Sequence, residues 1–534
     1  MAKTSLKSKI QDRYSQILIF CKNNKYELVV LLIIVLVGAI LRLYKIDQYM
    51  TFLGDEGRDV IVVRRLLVNL DPILIGPGTS VGNMYLGPAY YYMMAPFLLL
   101  ANFNPVGPAI LVALTGVATV VLVWFVARKW FPSIVVNKIN LSIAGLSAAA
   151  LYAVSPVVVN ISRFSWNPNI MPFFSLLLVY SIWKFWKEQK WGWLIVAGAC
   201  LGVMLQSHYL ALIMIPMLGL FWLLAIVNSW KNKNDAATKK SAIAYSLASL
   251  FLFLLMMSPL VIFDARHGWR NFSAMNEFFL GGDSAVSYSL VGIISKAQPV
   301  IDLMFERLIP LKNGNSGILL SITFLLTLVW YALRGVKEKY RDSYLLLASW
   351  MLIGVLGLSF YSNELYDHYY GFLFPAPFLL VGMIAQIASD KLKGTRKLFV
   401  PLVLLILITA SLGSSHLMYP PNKQMQRTKE IATKIAEESN GEKFNIAVIA
   451  SENYEGAYWY FLEANNEPII GIDPLRYEET VADQLFVVCE YEDREKCQPT
   501  SNPKAEVANF GWSKIDKQWE IGGIILFRLV HNIQ

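Results

Sequence analysis

An acidic pair, Asp55 and Glu56, is the part of this sequence best suited to chemistry. The pair stands in residues 51–59, directly after the first long apolar stretch. Carboxylates beside hydrocarbon are costly unless a function needs them there. At the start of a long loop outside the membrane, such a pair indicates either a base that abstracts a proton or a site for a metal or other cation.

Further ionisable and amide side chains follow this and later apolar stretches, all on the same predicted side of the membrane. Each one alone is equally well explained as a loop residue that ends a span, and Asp264 with Arg266 as an internal salt bridge. Together they favour a site for a phosphorylated lipid, because cations and imidazoles bind phosphate while a carboxylate can activate a hydroxyl. They are Arg58, Arg163, Asn167, His208, Asp264, Arg266, His267, Asp367 and His368.

The composition predicts a polytopic α-helical membrane protein. Of the 534 residues, 55% are hydrophobic and only 16% are charged. The net charge of +9 does not indicate nucleic-acid binding, because Lys and Arg cluster in short segments between apolar runs, as in cytoplasmic loops. The basic N-terminus is therefore predicted to be cytoplasmic, and the first span to be an uncleaved anchor in the plasma membrane.

Eleven segments approach the length of about 20 residues that a transmembrane helix needs. Alternation places every basic cluster in the cytoplasm, provided that residues 84–103 do not cross. The prolines at 88 and 96 and the run Tyr90-Tyr91-Tyr92 favour a helix at the outer interface instead. The predicted spans are 28–44, 108–127, 139–158, 169–187, 191–207, 209–228, 242–262, 317–334, 343–361, 369–388 and 397–416.

The tail beyond this membrane domain (residues 1–417, with a first external loop at 46–107) changes composition abruptly. We predict strands at 445–450 and 484–488, a helix at 454–465 and a closing hairpin at 512–530 around Gly522 and Gly523. These elements make residues 418–534 a small extracytoplasmic α/β domain. Cys489 and Cys497 lie in it, and an oxidising exterior would permit a disulfide, although two cysteines do not establish one.

The chain resembles the GT-C superfamily of membrane glycosyltransferases over residues 28–390, specifically the protein O-mannosyltransferase-like branch and its aminoarabinose-transferase relatives. Four segments carry the resemblance: the pair Asp55-Glu56, the juxtamembrane stretch 84–96, residues 162–168 around Arg163, and residues 366–370 around His368. Two features of the mannosyltransferases are missing. Leu86-Gly-Pro88 replaces their His-Pro-Pro element, and no β-trefoil insertion is evident, so the acceptor cannot be borrowed from them.

The resemblance implies an inverting transfer of a sugar from a polyprenyl-phosphate donor, at the outer face, to a lipid, glycan or protein acceptor. Asp55 would be the general base, and Glu56 would assist it or contact a metal or the substrate. Members differ in their need for a divalent metal, so none is assigned. The residues expected to bind the donor phosphate or lipid are Arg58, Arg163, His208, Arg266, His267 and His368, and those expected in the substrate pocket are Tyr90, Tyr91, Asn167, Asp264 and Asp367.

Two other classes of protein would also show many spans. A transporter or flippase of lipid-linked saccharides is expected to place ionisable groups near the bilayer midplane, whereas the charges here follow the spans. A simple membrane anchor for the C-terminal domain explains neither the number of spans nor the clustering of polar residues. An enzyme is therefore the favoured interpretation.

Overall fold

The structure, a computed structural model, describes residues 6–79, 84–132, 134–136, 139–231, 236–280, 289–310, 322, 326, 338–362 and 364–532. Seventeen α-helices and one β-hairpin precede the C-terminal domain in these ranges. The hairpin is formed by β1 (Ile134–Val136) and β2 (Ile139–Leu141). The helices are α1 Leu6–Asn23, α2 Lys25–Leu43, α3 Ile46–Tyr49, α4 Gly54–Asn69, α5 Ala89–Leu100, α6 Val106–Trp130, α7 Ile143–Val154, α8 Pro156–Ile161, α9 Met171–Trp186, α10 Trp193–Ser207, α11 Met214–Lys231, α12 Ala236–Arg266, α13 Arg270–Leu280, α14 Leu290–Leu308, α15 Glu338–Ser359, α16 Pro375–Lys391 and α17 Phe399–Gly413.

Six helices of the described residues are long and apolar enough to cross a membrane, and a seventh span is possible if a bent pair counts as one. The bent pair joins Asp367–Leu373 to Pro375–Lys391 at an angle of 50°. All seven coincide with predicted spans, so the chain is a multi-pass membrane protein. The six candidate spans are Lys25–Leu43, Val106–Trp130, Tyr209–Lys231, Ala236–Arg266, Tyr340–Ser359 and Gly394–Gly413.

The predicted number of eleven spans is not established. Three predicted spans correspond to shorter helices: α7 with 12 residues, α9 with 16 and α10 with 15. At about 1.5 Å per residue, a helix of this length falls short of the roughly 30 Å of hydrocarbon. The predicted span at 317–334 lies outside the described residues.

Helix α5 covers the stretch that was predicted not to cross the membrane. Its 12 residues begin after Pro88 and end before Ala101, so it is too short to span the hydrocarbon by itself. Tyr90, Tyr91 and Met94 are buried, because α5 packs between α4 and α6. Helix α4 itself is amphipathic and begins at the acidic pair.

The C-terminal domain has the predicted α/β architecture. Its helices are α18 Gln424–Ser439, α19 Gly456–Ala464, α20 Tyr477–Thr480 and α21 Ala505–Phe510, and its strands are β3 Asn445–Ile449, β4 Gln484–Cys489, β5 Ser513–Ile521 and β6 Ile524–His531. The strand order is β3-β4-β6-β5, with β3 parallel to β4 and the other pairs antiparallel. Gly522 and Gly523 form the hairpin turn with φ of 57° and 82°, angles that favour glycine. Cys489 and Cys497 are disulfide-bonded.

Two apolar layers hold this sheet between helices. Ile431 and Ile435 of α18 pack on one face, while Val507 and Phe510 of α21 pack on the other. Strands β3 and β4 are buried along their whole length, as expected for parallel strands covered on both sides. The carboxyl ends of β3 and β4 therefore lie at one common edge of the domain.

Candidate active site

Helix α4 fixes the acidic pair at its first turn, and the two carboxylates face different surroundings. Glu56 Oε2 accepts a hydrogen bond of 2.9 Å from the Leu53 N–H, which satisfies an amide at the start of the helix. Glu56 is buried, and this burial raises the pKa of its carboxyl to about 7. Glu56 is thus a capping residue of the helix that carries Asp55.

Asp55 keeps one carboxylate oxygen available. Its Oδ1 accepts hydrogen bonds from Arg58 Nη1 at 2.8 Å and from the Tyr454 hydroxyl at 2.9 Å. Its Oδ2 has no hydrogen-bond partner among the described residues, and the side chain is 41% exposed. A carboxylate with one oxygen anchored and one exposed can accept a proton from an approaching hydroxyl.

Arg58 joins Asp55 to a second carboxylate, Asp59. The Oδ1 atom of Asp59 accepts hydrogen bonds from Arg58 Nε at 3.0 Å, Arg58 Nη2 at 2.8 Å and the Tyr91 hydroxyl at 2.8 Å. The side chain of Asp59 is fully buried, and this burial, opposed by the charge of Arg58, raises its pKa to about 6. Asp59 therefore fixes the guanidinium of Arg58, and Tyr91 in turn holds the carboxylate of Asp59.

A cavity of about 950 Å³ opens beside Asp55. Its polar lining is drawn from segments far apart in the chain: the first turn of α4, the turn before α9, the turn after α10, the start of the bent span and the C-terminal domain. These segments contribute Asp55, Arg58, Asn167, His208, His368 and Tyr454. The fold thus brings five of the residues predicted from the sequence into one site.

The apolar lining comes largely from two candidate spans and one short helix. The span Tyr209–Lys231 contributes residues from Leu210 to Pro216, the span Tyr340–Ser359 contributes Ile353 and Leu356, and α13 contributes Met275 and Phe278. The cavity therefore combines a charged wall with a wall of membrane helices. Such a combination fits an amphiphile with a polar head and a hydrocarbon tail.

Two histidines and a tryptophan form an aromatic cluster in the cavity wall. The ring of His368 lies 4.4 Å from that of Trp166 and 5.7 Å from that of His208. Burial lowers the pKa of His208, and its Nδ1 accepts a hydrogen bond from the Leu210 N–H. The neutral ring of His208 therefore carries its proton on Nε2 and can donate it to an anion.

Arg163 lies outside the residues that line the cavity. Its Nη1 and Nη2 atoms donate to the carbonyls of Leu41 and Tyr44, at 2.6 and 2.7 Å, and the guanidinium stacks on the ring of Tyr49. Arg163 is 1% exposed. It satisfies free carbonyls at the carboxyl end of α2, which is a structural use of the charge.

The acidic and basic residues at the carboxyl end of α12 have local surroundings of their own. Asp264 accepts hydrogen bonds from the N–H groups of Asn271 and Phe272, at 2.7 and 3.0 Å, and thereby holds the first turn of α13. His267 Nδ1 lies 2.7 Å from the Phe263 carbonyl, and Arg266 is exposed. Asp264, Arg266 and His267 do not line the cavity.

Three further predicted pocket residues support the site from outside the cavity. Asp367 forms a two-pronged ion pair with Arg307, at 2.9 and 2.5 Å. Tyr90 shares a hydrogen bond of 2.8 Å with Ser165, and Tyr91 binds Asp59 as described above. Asn167, in contrast, lines the cavity while it donates to the Ser207 carbonyl.

Two residues of the site were not predicted. No pattern in the sequence pointed to Tyr454, and Asp59 was not singled out although it belongs to the acidic segment. Tyr454 is 399 positions from Asp55, so only the packing of the C-terminal domain reveals the contact. Within the described residues, no group of three or more His, Cys, Asp or Glu side chains is arranged to hold a metal ion.

Comparisons with known proteins agree with this architecture. Residues 86–263 match the family model of dolichyl-phosphate-mannose-protein mannosyltransferase. No curated protein matches the chain in sequence.

Solved structures share the fold at low sequence identity. ArnT from Cupriavidus metallidurans bound to undecaprenyl phosphate matches with a TM-score of 0.53 and 13% identity, over 95% of this chain and 98% of that one. Its apo state gives a TM-score of 0.54 and 13% identity, over 94% and 98%. The archaeal oligosaccharyltransferase AglB from Archaeoglobus fulgidus, in complex with an inhibitory peptide and a dolichol-phosphate, matches with a TM-score of 0.51 and 12% identity, over 86% and 69%.

The family model covers α5 to α12, and the structural likeness extends over the membrane helices and the C-terminal domain. The resemblance predicted from the sequence is thereby confirmed: residues 86–263 match the mannosyltransferase family model, and the chain shares its fold with ArnT and AglB.

Proposed function

We propose that this protein is an integral membrane glycosyltransferase. It transfers a sugar from a polyprenyl-phosphate donor to a hydroxyl of a lipid, glycan or protein acceptor, with inversion at the anomeric carbon. The observation that carries the proposal is the cavity, in which an available carboxylate oxygen, a guanidinium and two imidazoles share one space with the apolar faces of two candidate spans. The solved relatives bind undecaprenyl phosphate and dolichol-phosphate, which supports a donor of this class.

In this mechanism Asp55 Oδ2 takes the proton of the acceptor hydroxyl. The acceptor oxygen attacks the anomeric carbon, and the bond from that carbon to the phosphate oxygen breaks with its electron pair on the phosphate. A base placed within hydrogen-bond reach accelerates such a step by roughly a hundred- to ten-thousand-fold. Arg58 is the cation nearest to Asp55 in the cavity wall.

The leaving phosphate is stabilised by donors in the wall. Arg58 has N–H groups beyond those bound to Asp55 and Asp59, because a guanidinium carries five. His208 adds a neutral N–H donor, and the imidazole of His368 lies beside it in the wall. Arg163, Arg266 and His267 have no place in this phosphate site.

A transporter of lipid-linked saccharides is less well supported. Asp55 and Arg58, the charged residues that line the cavity, precede α5 and belong to none of the six candidate spans found among the described residues. The orientation that follows from the basic loops places the site at the outer face of the plasma membrane, with the N-terminus in the cytoplasm.

A reconstitution assay tests the proposal whichever sugar is transferred. Membranes from a strain that lacks the gene retain unmodified acceptor and unused donor, because neither has been consumed. Purified protein is added, and mass spectrometry follows the gain of one sugar mass on glycans, lipids and proteins. The wild-type protein is expected to form product, and Asp55→Asn to form it at least a hundred-fold more slowly.

Asn keeps the size of the side chain and its ability to accept from Tyr454, but it cannot take up the proton. Equal rates for wild type and Asp55→Asn, with equal amounts of folded protein by size exclusion, would remove Asp55 from the role of base. Absence of any new product with the wild-type protein would contradict the transfer reaction itself.

A further inference from the structure

The C-terminal domain touches the acidic helix through main-chain contacts between glycines. A methyl group on Gly57 would lie 2.3 Å from the Ala457 nitrogen, and one on Gly456 would lie 2.3 Å from the Gly54 carbonyl oxygen. A methyl group on Gly54 would lie 2.4 Å from the ring of Tyr454. The start of α19 is therefore packed directly against the first turn of α4, with no side chain between them.

Asn453 ties this contact together by hydrogen bonds. Its Oδ1 accepts from the Gly54 N–H at 2.8 Å and from the Tyr454 N–H at 2.9 Å, and its Nδ2 donates to Glu490 at 2.7 Å. The C-terminal domain thus provides a cap for the free amide of Gly54 at the start of the catalytic helix. The same network holds the backbone of Tyr454.

The C-terminal domain contacts α4 through the edge of its sheet that, in other α/β domains, binds ligands. Asn453 and Tyr454 follow β3, and Glu490 follows β4, at the carboxyl ends of the two parallel strands. Open α/β sheets bind their ligands beyond these ends. In this protein that edge is turned towards the cavity, and Tyr454 is part of the cavity wall.

The hydroxyl of Tyr454 acts on the proposed base. It donates to Asp55 Oδ1 at 2.9 Å, the oxygen that also accepts from Arg58, and so the free oxygen Oδ2 has a fixed direction.

We propose that the C-terminal domain completes the active site, with Tyr454 as a positioning residue that orients the Asp55 carboxylate and forms the wall against which the acceptor hydroxyl approaches. This inference rests on the proposed transferase function. It assigns the domain a direct part in the reaction, in addition to its own folding.

The test compares two variants that each lose one hydroxyl from the same segment of the domain. Tyr454→Phe removes the donor to Asp55 and keeps the ring against Gly54. Tyr460→Phe is the matched control, because the Tyr460 hydroxyl donates to the Phe103 carbonyl of the membrane domain and does not line the cavity. Both variants lose one contact between the domains, but only the first loses the contact with Asp55.

Rates are measured with membranes of the deletion strain as acceptor, and its lipid extract, added in increasing amounts, raises the donor above the level already present in those membranes. For Tyr454→Phe the maximal rate is expected to fall about ten-fold or more, which corresponds to roughly 1.4 kcal/mol. The amount of lipid extract at half-maximal rate is expected to stay within about two-fold.

Tyr460→Phe is expected to keep both the maximal rate and the half-saturating amount of lipid extract of the wild type. A Tyr454→Phe protein with the wild-type maximal rate, alongside an inactive Asp55→Asn protein, would overturn this inference and leave the proposed function standing. Equal losses in both tyrosine variants would also overturn it, since docking alone would then explain them. An Asp55→Asn protein as active as the wild type would instead remove Asp55 from the role of base, and absence of product with the wild type would contradict the proposed function.

Discussion

Two acidic segments of this protein, residues 51–59 and 259–268, have similar charge patterns but different surroundings. Each places a carboxylate and an arginine soon after an apolar stretch. Asp55 has an oxygen without a partner in the described structure and lines a cavity, whereas both oxygens of Asp264 accept main-chain N–H groups of α13. The partners of the carboxylate oxygens, rather than the charge pattern, distinguish a candidate base from a structural residue.

The arginines of the membrane domain show the same contrast. Arg58 lies in the cavity wall between two carboxylates, while Arg163 is buried and donates to two carbonyls at the end of α2. Since phosphate needs donors that are not already engaged, Arg58 is the better candidate for the leaving group. The contrast leads to the predictions below.

The largest effect is expected for Arg58→Gln. The substitution removes the cation beside Asp55 and leaves Asp59 buried without its ion-pair partner, a situation that costs about 3–5 kcal/mol in other proteins. We expect the rate of sugar transfer to fall at least a hundred-fold, as measured in the deletion-strain assay, together with a lower melting temperature.

Arg163→Gln is the matched comparison for this variant. It should cost stability, because two buried carbonyls lose their donors, yet the rate per folded molecule should stay within about three-fold, because no group of the cavity changes. A loss of rate as deep as that of Arg58→Gln would return Arg163 to the phosphate site.

A smaller effect is expected for Asp264→Ala. Loss of the carboxylate that holds the first turn of α13 should destabilise the protein by roughly 0.5–2 kcal/mol. The transfer rate at saturating donor should remain within about three-fold of wild type. A hundred-fold drop in the transfer rate without unfolding would show that the acidic segment at 259–268 takes part in the chemistry.

The smallest effect concerns pH and Glu56. The folded-state pKa of Glu56 is raised from 4.5 to about 7, so its stabilising contribution is present below pH 4.5 and is lost as the pH rises through 7. The purified protein should therefore melt at lower temperature as the pH is raised from 5 to 8.

Glu56→Gln retains the acceptor for the Leu53 N–H and cannot ionise, so its melting temperature should depend less on pH. Asp59, with a pKa of about 6, contributes the remaining decrease of the melting temperature with pH. Identical slopes for wild type and Glu56→Gln would show that Glu56 does not titrate in this range.

Much of the fold could be predicted from the sequence, because hydrophobicity and turn residues act locally. Long apolar runs located the seven candidate spans, and alternating short runs with Gly522 and Gly523 located the strands of the C-terminal domain. Helices α13 and α14, which follow α12, were not predicted, and three of the predicted spans proved to be short helices.

The site was predictable in part. Residue type and position after a span identified Asp55, Arg58, Asn167, His208 and His368, which share the cavity. The same signals also selected Arg163 and Asp264, since a sequence does not show which carbonyl or amide will meet a charge. Tyr454 could not be predicted from the sequence, because its contact with Asp55 depends on how a distant domain packs against α4.

Photocrosslinking with undecaprenyl phosphate that carries a diazirine in its chain tests most directly whether the cavity is the donor site. We expect labelled peptides from residues 209–216 and 353–360, with labelling suppressed by excess unmodified undecaprenyl phosphate. Labelling confined to the surroundings of Arg163 or of Arg266 and His267, or labelling that the competitor does not reduce, would contradict the assignment of the cavity.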